Sequence, residues 1–247
     1  MLIWWVIVFA VLGGAGAALG SALILALAQE RRRKALPWLI SYATGVLLGA
    51  AFLAMIPEAL TGAQPANVAA ALLAGVVGFY ALEQWLLWRH CHDESCETHG
   101  RAGALILVGD GFHNFVDGVV IAAAFLTSVP LGVAVSLAVI AHEIPQEVGD
   151  FAILLDNGYA PRTAFVLNTL SASTALPGAL LGYFWLPAIE QAIPYVLAIS
   201  AASFIYIALA DLVPSLHKRV RSGTAALQFV LLLAGIATIA LLHGGGQ

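Results

Sequence analysis

Eight apolar runs, each long enough to cross a lipid bilayer, constrain this chain more than any other feature of its sequence. A helix rising 1.5 Å per residue needs about 20 mainly apolar residues to span a hydrocarbon core of about 30 Å. Such runs are predicted at Leu2–Ala28, Pro37–Leu60, Asn67–Arg89, Gly103–Leu126, Leu131–Leu155, Thr163–Phe184, Pro194–Pro214 and Thr224–Leu242. Turn chemistry separates several of them: Thr61-Gly62-Ala63-Gln64-Pro65, Ser128-Val129-Pro130, Asp156-Asn157-Gly158 and Arg221-Ser222-Gly223. An open sheet leaves backbone groups unsatisfied in lipid, so each run is read as a helix. The first run lacks a basic leader, exceeds an ordinary signal-peptide core and is followed by charge rather than a cleavage site, so it is read as a retained span. Residues 1–247 then form one polytopic, all-α integral membrane domain. Charged residues make up only 10% of the 247, against about 25% in soluble domains, which agrees. No basic patch interleaves with aromatics, so nucleic acid is excluded as a partner. Two cysteines, Cys91 and Cys96, are too few for a disulfide framework.

Orientation follows from the loops. With alternating spans, one side receives Arg31, Arg32, Arg33, Lys34, Arg89, Arg101, Arg162, Lys218, Arg219 and Arg221, which are all 10 basic residues of the chain. The other side receives none. Basic loops stay in the cytoplasm, so both termini face outside and the span count is even. A multi-pass protein of the plasma (cell inner) membrane is the expectation.

The informative residues are polar ones placed where lipid should forbid them. Span four carries Asp110, His113, Asn114 and Asp117; span five carries His142, Glu143, Gln146, Glu147 and Asp150. A carboxylate at a helix centre costs about 2.5–3.5 kcal/mol on insertion scales, so these five must face a shared interior. At about 100° per residue the span-four group falls within an arc of roughly 100° and the span-five group within roughly 140°. His113 with Asp117, His142 with Gln146, and Glu143 with Glu147 each stand one turn apart on one face. His113 and His142 both fall near the middle of their spans. Pro145 is expected to loosen span five there by freeing a backbone carbonyl.

Imidazole nitrogens with carboxylate oxygens suit divalent zinc, iron, manganese, cobalt, nickel or cadmium. Magnesium and calcium prefer all-oxygen sets, and no thiol or thioether invites Cu(I). A single buried histidine is more often a hydrogen-bonded packing residue, and a proton relay could also produce such a stripe. Two histidines converging with five carboxylates favour metal. Asp110 and Asp150 lie about one turn to the cytoplasmic side, as exit-path or hydrogen-bonding residues.

The stretches His113-Asn114-Phe115-Val116-Asp117-Gly118 and His142-Glu143-Ile144-Pro145-Gln146-Glu147-Val148-Gly149-Asp150 resemble the signature of the ZIP family of divalent-metal transporters, in its LIV-1-like form. Met55-Ile56-Pro57-Glu58-Ala59 and Asp211-Leu212-Val213-Pro214 are weaker echoes. The resemblance implies eight spans in a 3+2+3 inverted-repeat arrangement, with a binuclear site between spans four and five. It implies a first metal on His113, Asp117, His142 and Gln146, and a second sharing Asn114, Asp117, Glu143 and Gln146. Glu147 lies one residue beyond the usual ligand. Position 146 is usually His or Glu in such motifs, and span six, with Asn168, Ser171, Ser173 and Thr174, lacks the carboxylate some relatives supply. A homodimer is also implied, with metal as cargo rather than cofactor.

The cytoplasmic loop 90–102 holds His90, Cys91, His92, Cys96 and His99 among acids, a metal-binding composition whose spacing matches no zinc finger. In a reducing compartment a disulfide there is not expected. By resemblance, such a loop catches or senses imported ions. The preferred function is transport of a divalent transition metal, zinc first, toward the cytoplasm. Two alternatives are weighed against it. One is a proton-coupled carrier of an organic substrate. The other is an intramembrane zinc protease, since His142-Glu143-Ile144-Pro145-Gln146 is one residue from H-E-x-x-H. Gln146 replaces the second histidine of that motif and Pro145 lies inside it, so no enzyme is expected.

Overall fold

The apolar runs fold as helices, and no strand occurs among the described residues. The structure, a computed structural model, describes residues 1–90, 99–217 and 225–244. Eight helical rods follow one another: α1 (Leu2–Ala26), α2 (29–62), α3 (Pro65–His90), α4 (His99–Thr127), α5 (Val129–Asp156), α6 (161–185), α7 (193–217) and α8 (Ala225–Gly244). Among the described residues, each rod except α4 contains a stretch long and apolar enough to cross a membrane, giving 7 such stretches. Helix α4 is itself 29 residues long, but Asp110, His113, Asn114 and Asp117 dilute its apolar content. Cys91, His92 and Cys96 lie outside the described residues, as do the side chains of His90 and His99 at the facing ends of α3 and α4.

Burial separates the rods. The span of α2 is mostly buried, whereas α3 and α8 are mostly exposed and present Leu73, Val77, Tyr80, Phe229 and Val230 outward. Outward apolar side chains are what lipid requires of a peripheral span. Alanine makes up about half of the buried apolar residues, among them Ala50, Ala54, Ala122, Ala134 and Ala138. Lipid is as apolar as leucine, so helix association in a membrane rests on close packing, and small residues permit it. Helix α8 lies along α2, α7 along α3, and α6 along α4, while α5 packs beside α4 and against α1 and α2.

The α4–α6 contact is the tightest that bears on the site. A methyl group added at Gly118 would stand 1.9 Å from the Ala175 carbonyl oxygen, and one at Gly178 would stand 2.0 Å from that of Phe115. Neither backbone can yield without separating the helices. Gly178→Val is therefore expected to prevent accumulation of folded protein, since overpacking alone costs about 1–3 kcal/mol and here the clash is with main chain. Gly78→Ala, whose added methyl meets nothing within 4 Å, is the control. Size-exclusion profiles of the two detergent-extracted variants check this; a wild-type profile for Gly178→Val would show that α6 is free to slide.

Three helices are interrupted by π turns. These lie at Leu12–Gly16 in α1, Ala50–Met55 in α2 and Ile207–Leu212 in α7. The last two each end two residues before a proline, Pro57 or Pro214. A proline donates no N–H to the carbonyl four residues back, here Leu53 or Ala210, and each π turn closes just ahead of the proline with an N–H bonded five residues back, Ile56 to Ala51 and Val213 to Ala208. Helix α6, expected as one run, breaks between Ala172 and Ala175 for the same reason: Pro177 cannot donate to Ser173. The Ser173 carbonyl accepts from the Leu176 N–H instead, at 3.1 Å. Thr174, at the break, donates its hydroxyl hydrogen toward the carbonyls of Gly111 and Ser171 and so ties the bend to α4. Helix α5 behaves differently and stays α-helical from Val129 through Pro145 to Asp156.

Candidate metal site

Helix α4 presents His113 and Asp117 one turn apart, and α5 presents His142 and Glu143 as neighbours in sequence. His142 is buried, and its Nδ1 lies 2.9 Å from the Ala138 carbonyl one turn back. A carbonyl only accepts, so Nδ1 carries the hydrogen and Nε2 is left with a free lone pair. The Phe204 ring of α7 stands edge-on to the His142 ring, with centroids 5.6 Å apart at 61°, and limits its rotation.

Four ligand atoms then converge. His142 Nε2 is 3.2 Å from Asp117 Oδ2 and 3.4 Å from Glu143 Oε1. His113 Nε2 is 3.3 Å from His142 Nε2, 3.4 Å from Glu143 Oε1 and 3.8 Å from Asp117 Oδ2. A tetrahedral ion with bonds of about 2.0–2.1 Å holds its ligands about 3.4 Å apart along each edge. The five separations, 3.2–3.8 Å, lie near that edge length. His113 is 20% exposed while its three partners are 0–2% exposed, so His113 is the most accessible of the four.

A second group lies beside the first and shares Glu143 with it: carboxylate oxygens of Asp110, Glu143 and Glu147 fall within 4.8 Å of one another. Helix α6 braces this group. Asn168 donates its amide N–H to Glu147, and Ser171 donates its hydroxyl to Asp110. Asp110 Oδ1 also accepts from Asn114 Nδ2 at 3.0 Å and from Gln146 Nε2 at 3.3 Å. Several buried oxygens nonetheless have no hydrogen-bond partner: Asn114 Oδ1, Asp117 Oδ2, both oxygens of Glu143, Glu147 Oε1 and Asn168 Oδ1. Buried polar atoms are almost always partnered, so a cluster of orphaned acceptors marks a candidate cation site.

The residues expected from sequence are thus gathered, in a somewhat different arrangement. Glu143 stands with Asp117 beside the two imidazoles, and the Gln146 amide nitrogen donates to Asp110. Glu147, given a lesser place by the motif, is wholly buried within the second group. Asp150 stands half-buried about one turn further along α5, outside both groups. Phe204 carried no signal in the sequence, being one apolar residue in an apolar span. Asn168 and Ser171 did carry one, as polar residues one turn apart inside α6. Apart from this site, a cavity of about 430 Å³ opens where α2 and α4 end and α7 begins, lined by Glu58, Thr61, Thr127, Gln191 and Pro194.

The sequence matches the family model described as the ZIP zinc transporter over residues 88–243, a stretch that contains every ligand candidate of α4 and α5. The chain belongs to the ZIP family. Its relatives include the zinc transporter ZIP13 of Pongo abelii, 35% identical over 222 residues, covering 82% of this chain and 65% of that protein. The zinc transporter ZIP4 of Homo sapiens is 41% identical over 142 residues, covering 56% of this chain and 22% of the relative. The zinc transporter ZIP10 of Danio rerio is 37% identical over 145 residues, covering 56% of this chain and 17% of the relative. The chain therefore spans less than two thirds of the length of these ZIP relatives. All three are named as transporters and none as an enzyme. With an all-helical fold rich in apolar spans, this ZIP protein is a multi-pass integral membrane protein.

Proposed function

We propose that this chain carries divalent transition metal, zinc foremost, across the membrane toward the cytoplasm. The observation that carries the proposal is the convergence of His113, Asp117, His142 and Glu143 at tetrahedral edge lengths. His113 lies halfway along the 29-residue helix α4 and His142 halfway along the 28-residue helix α5, which supports a site at the bilayer midplane. Nitrogen with oxygen donors suits zinc, iron, manganese and cadmium alike. The names of the relatives favour zinc among them. Asn114, Gln146 and Glu147 border the ion path, with Asp110 and Asp150 toward the cytoplasmic end.

Eight spans with both termini outside follow if α4 crosses with the other seven, and the segregation of all 10 basic residues supports that orientation. The matched π turns before Pro57 in α2 and Pro214 in α7, and the central interruptions of α1 and α6, support an inverted repeat of three helices flanking α4 and α5. An inside-negative membrane favours the inward direction, since each charge gains about 2.3 kcal/mol per 100 mV and the ion carries two. The loop residues His90, Cys91, His92, Cys96 and His99 belong at the inner mouth.

The test is uptake of labelled zinc into vesicles containing the purified chain, with manganese, iron and cadmium as competitors. Metal-dependent accumulation above empty vesicles is expected, and its absence would return the carrier of an organic substrate to first place. Topology is tested separately. In intact cells Gly245→Cys is expected to react with an impermeant thiol reagent, and Cys91 is not; outside labelling of Cys91 would overturn the orientation.

A further inference from the structure

Asp110 accepts three hydrogen bonds, all from neutral donors. Its Oδ1 takes Asn114 Nδ2 and Gln146 Nε2, and its Oδ2 takes the Ser171 hydroxyl. A carboxylate offers about two lone-pair directions per oxygen, so Oδ1 is fully engaged and Oδ2 half engaged. The side chain is 5% exposed, so no water substitutes for these donors cheaply. Asp110 is thus engaged chiefly by neighbouring side chains, although its carboxylate also belongs to the second group.

The donors are the telling part. Asn114 and Gln146 are amides, and an amide has two ends of nearly the same shape and opposite use. Its oxygen attracts a cation, whereas its NH₂ repels one. An ionised carboxylate accepts hydrogen bonds but cannot donate them, so it takes only the NH₂ end, in a bond about twice as strong as a neutral one. Once Nδ2 of Asn114 is held by Asp110, Oδ1 must turn away from it, and that oxygen is buried without a partner. The Asp110 backbone carbonyl, 3.3 Å from the same nitrogen, reinforces this choice. Holding Nε2 of Gln146 turns its Oε1 away from Asp110 in the same manner. The Ser171 hydroxyl from α6 keeps the carboxylate from rotating out of this arrangement.

We propose that Asp110 is a positioning residue: by binding the NH₂ ends of Asn114 and Gln146 it fixes the oxygen end of each amide toward the transported cation. The inference rests on the transport-site reading above and deepens it. It also gives the neutral residue at position 146 a consequence. An amide there has a wrong orientation available to it, and a carboxylate does not.

That difference supplies the test. Zinc binding to the purified full-length chain is measured calorimetrically for wild type, Asp110→Asn, Gln146→Glu and the double variant. Asp110→Asn is expected to weaken zinc binding about tenfold or more in the native background, the usual effect of removing a group that orients a ligand. In the Gln146→Glu background the same change is expected to cost clearly less than in the native one, because both ends of the side chain at 146 are then oxygens and only Asn114 still needs orienting. Equal loss in both backgrounds would show that Asp110 binds the ion directly and would overturn the proposal. Should Asp110→Asn fail to fold, Ser171→Ala frees the carboxylate without changing charge; a larger loss in the native background than in Gln146→Glu is expected, and equal loss in both overturns the proposal. Vesicle uptake is followed in parallel. Wild-type protein that binds zinc without moving it defeats the transport reading alone, whereas wild-type protein that binds no zinc defeats both.

Discussion

Replacing His113 and His142 together by alanine is expected to abolish zinc binding and uptake while the protein still inserts and accumulates. Four-ligand zinc sites are worth about 10–16 kcal/mol in all, or about 3 kcal/mol per ligand. Losing both nitrogens should therefore weaken binding about 10⁴-fold. The two remaining carboxylates, Asp117 and Glu143, would leave an oxygen-only remnant that transition ions favour less. Insertion should not suffer, because each imidazole is a polar group that the membrane disfavours. The Ala138 carbonyl loses a bond, but it still belongs to the helix ladder of α5. The measurement pairs zinc uptake with surface abundance at matched expression. Wild-type uptake by the double variant would sink the assignment of the site.

The helices and most of the ligands were legible in the sequence because lipid makes both conspicuous. A run of 20 apolar residues has one economical conformation in a bilayer, and a histidine or carboxylate inside it must have a partner. Hence the helices fall within a few residues of the apolar runs, except that α2 begins eight residues before Pro37, and His113, Asp117, His142 and Glu143 stand out before any coordinate is known. Helical period could place residues on a face, but it could not say how α4 and α5 are rotated about their own axes relative to each other. That rotation brings Glu143 to the imidazoles and Gln146 to Asp110.

The prolines show the same limit. Pro57, Pro145, Pro177 and Pro214 all remove one helix hydrogen bond. The structure answers with a π turn at Pro57 and Pro214, a break at Pro177 and an unbroken helix at Pro145. What decides the outcome is whatever lies beside the freed carbonyl. At the α6 break the Thr174 hydroxyl and the backbone of α4 supply a tertiary anchor that sequence periodicity does not encode. Phe204 is invisible for a related reason: its role comes from lying across from His142 on a helix far away in sequence.

Glu143→Gln is expected to be the most damaging single isosteric change in the site, exceeding Glu147→Gln by about tenfold or more. Glu143 is fully buried, belongs to both ligand groups, and neither of its oxygens has a hydrogen-bond partner. Its charge is thus kept in the bilayer with only the two imidazoles, or an ion, to offset it. Glutamine keeps the shape and removes that charge from both groups at once. It also offers an NH₂ end, which repels a cation. One ligand's share, about 3 kcal/mol, predicts a loss in zinc affinity of at least about a hundredfold. Glu147 enters only the oxygen group, and Asn168 already engages one of its oxygens. Neutralising it therefore leaves the imidazole-containing set intact. Calorimetric zinc affinity and initial uptake rates for the two variants, at matched protein, decide the ranking. Equal losses would mean that the two groups hold the ion as one site, with Glu147 as much a ligand as Glu143.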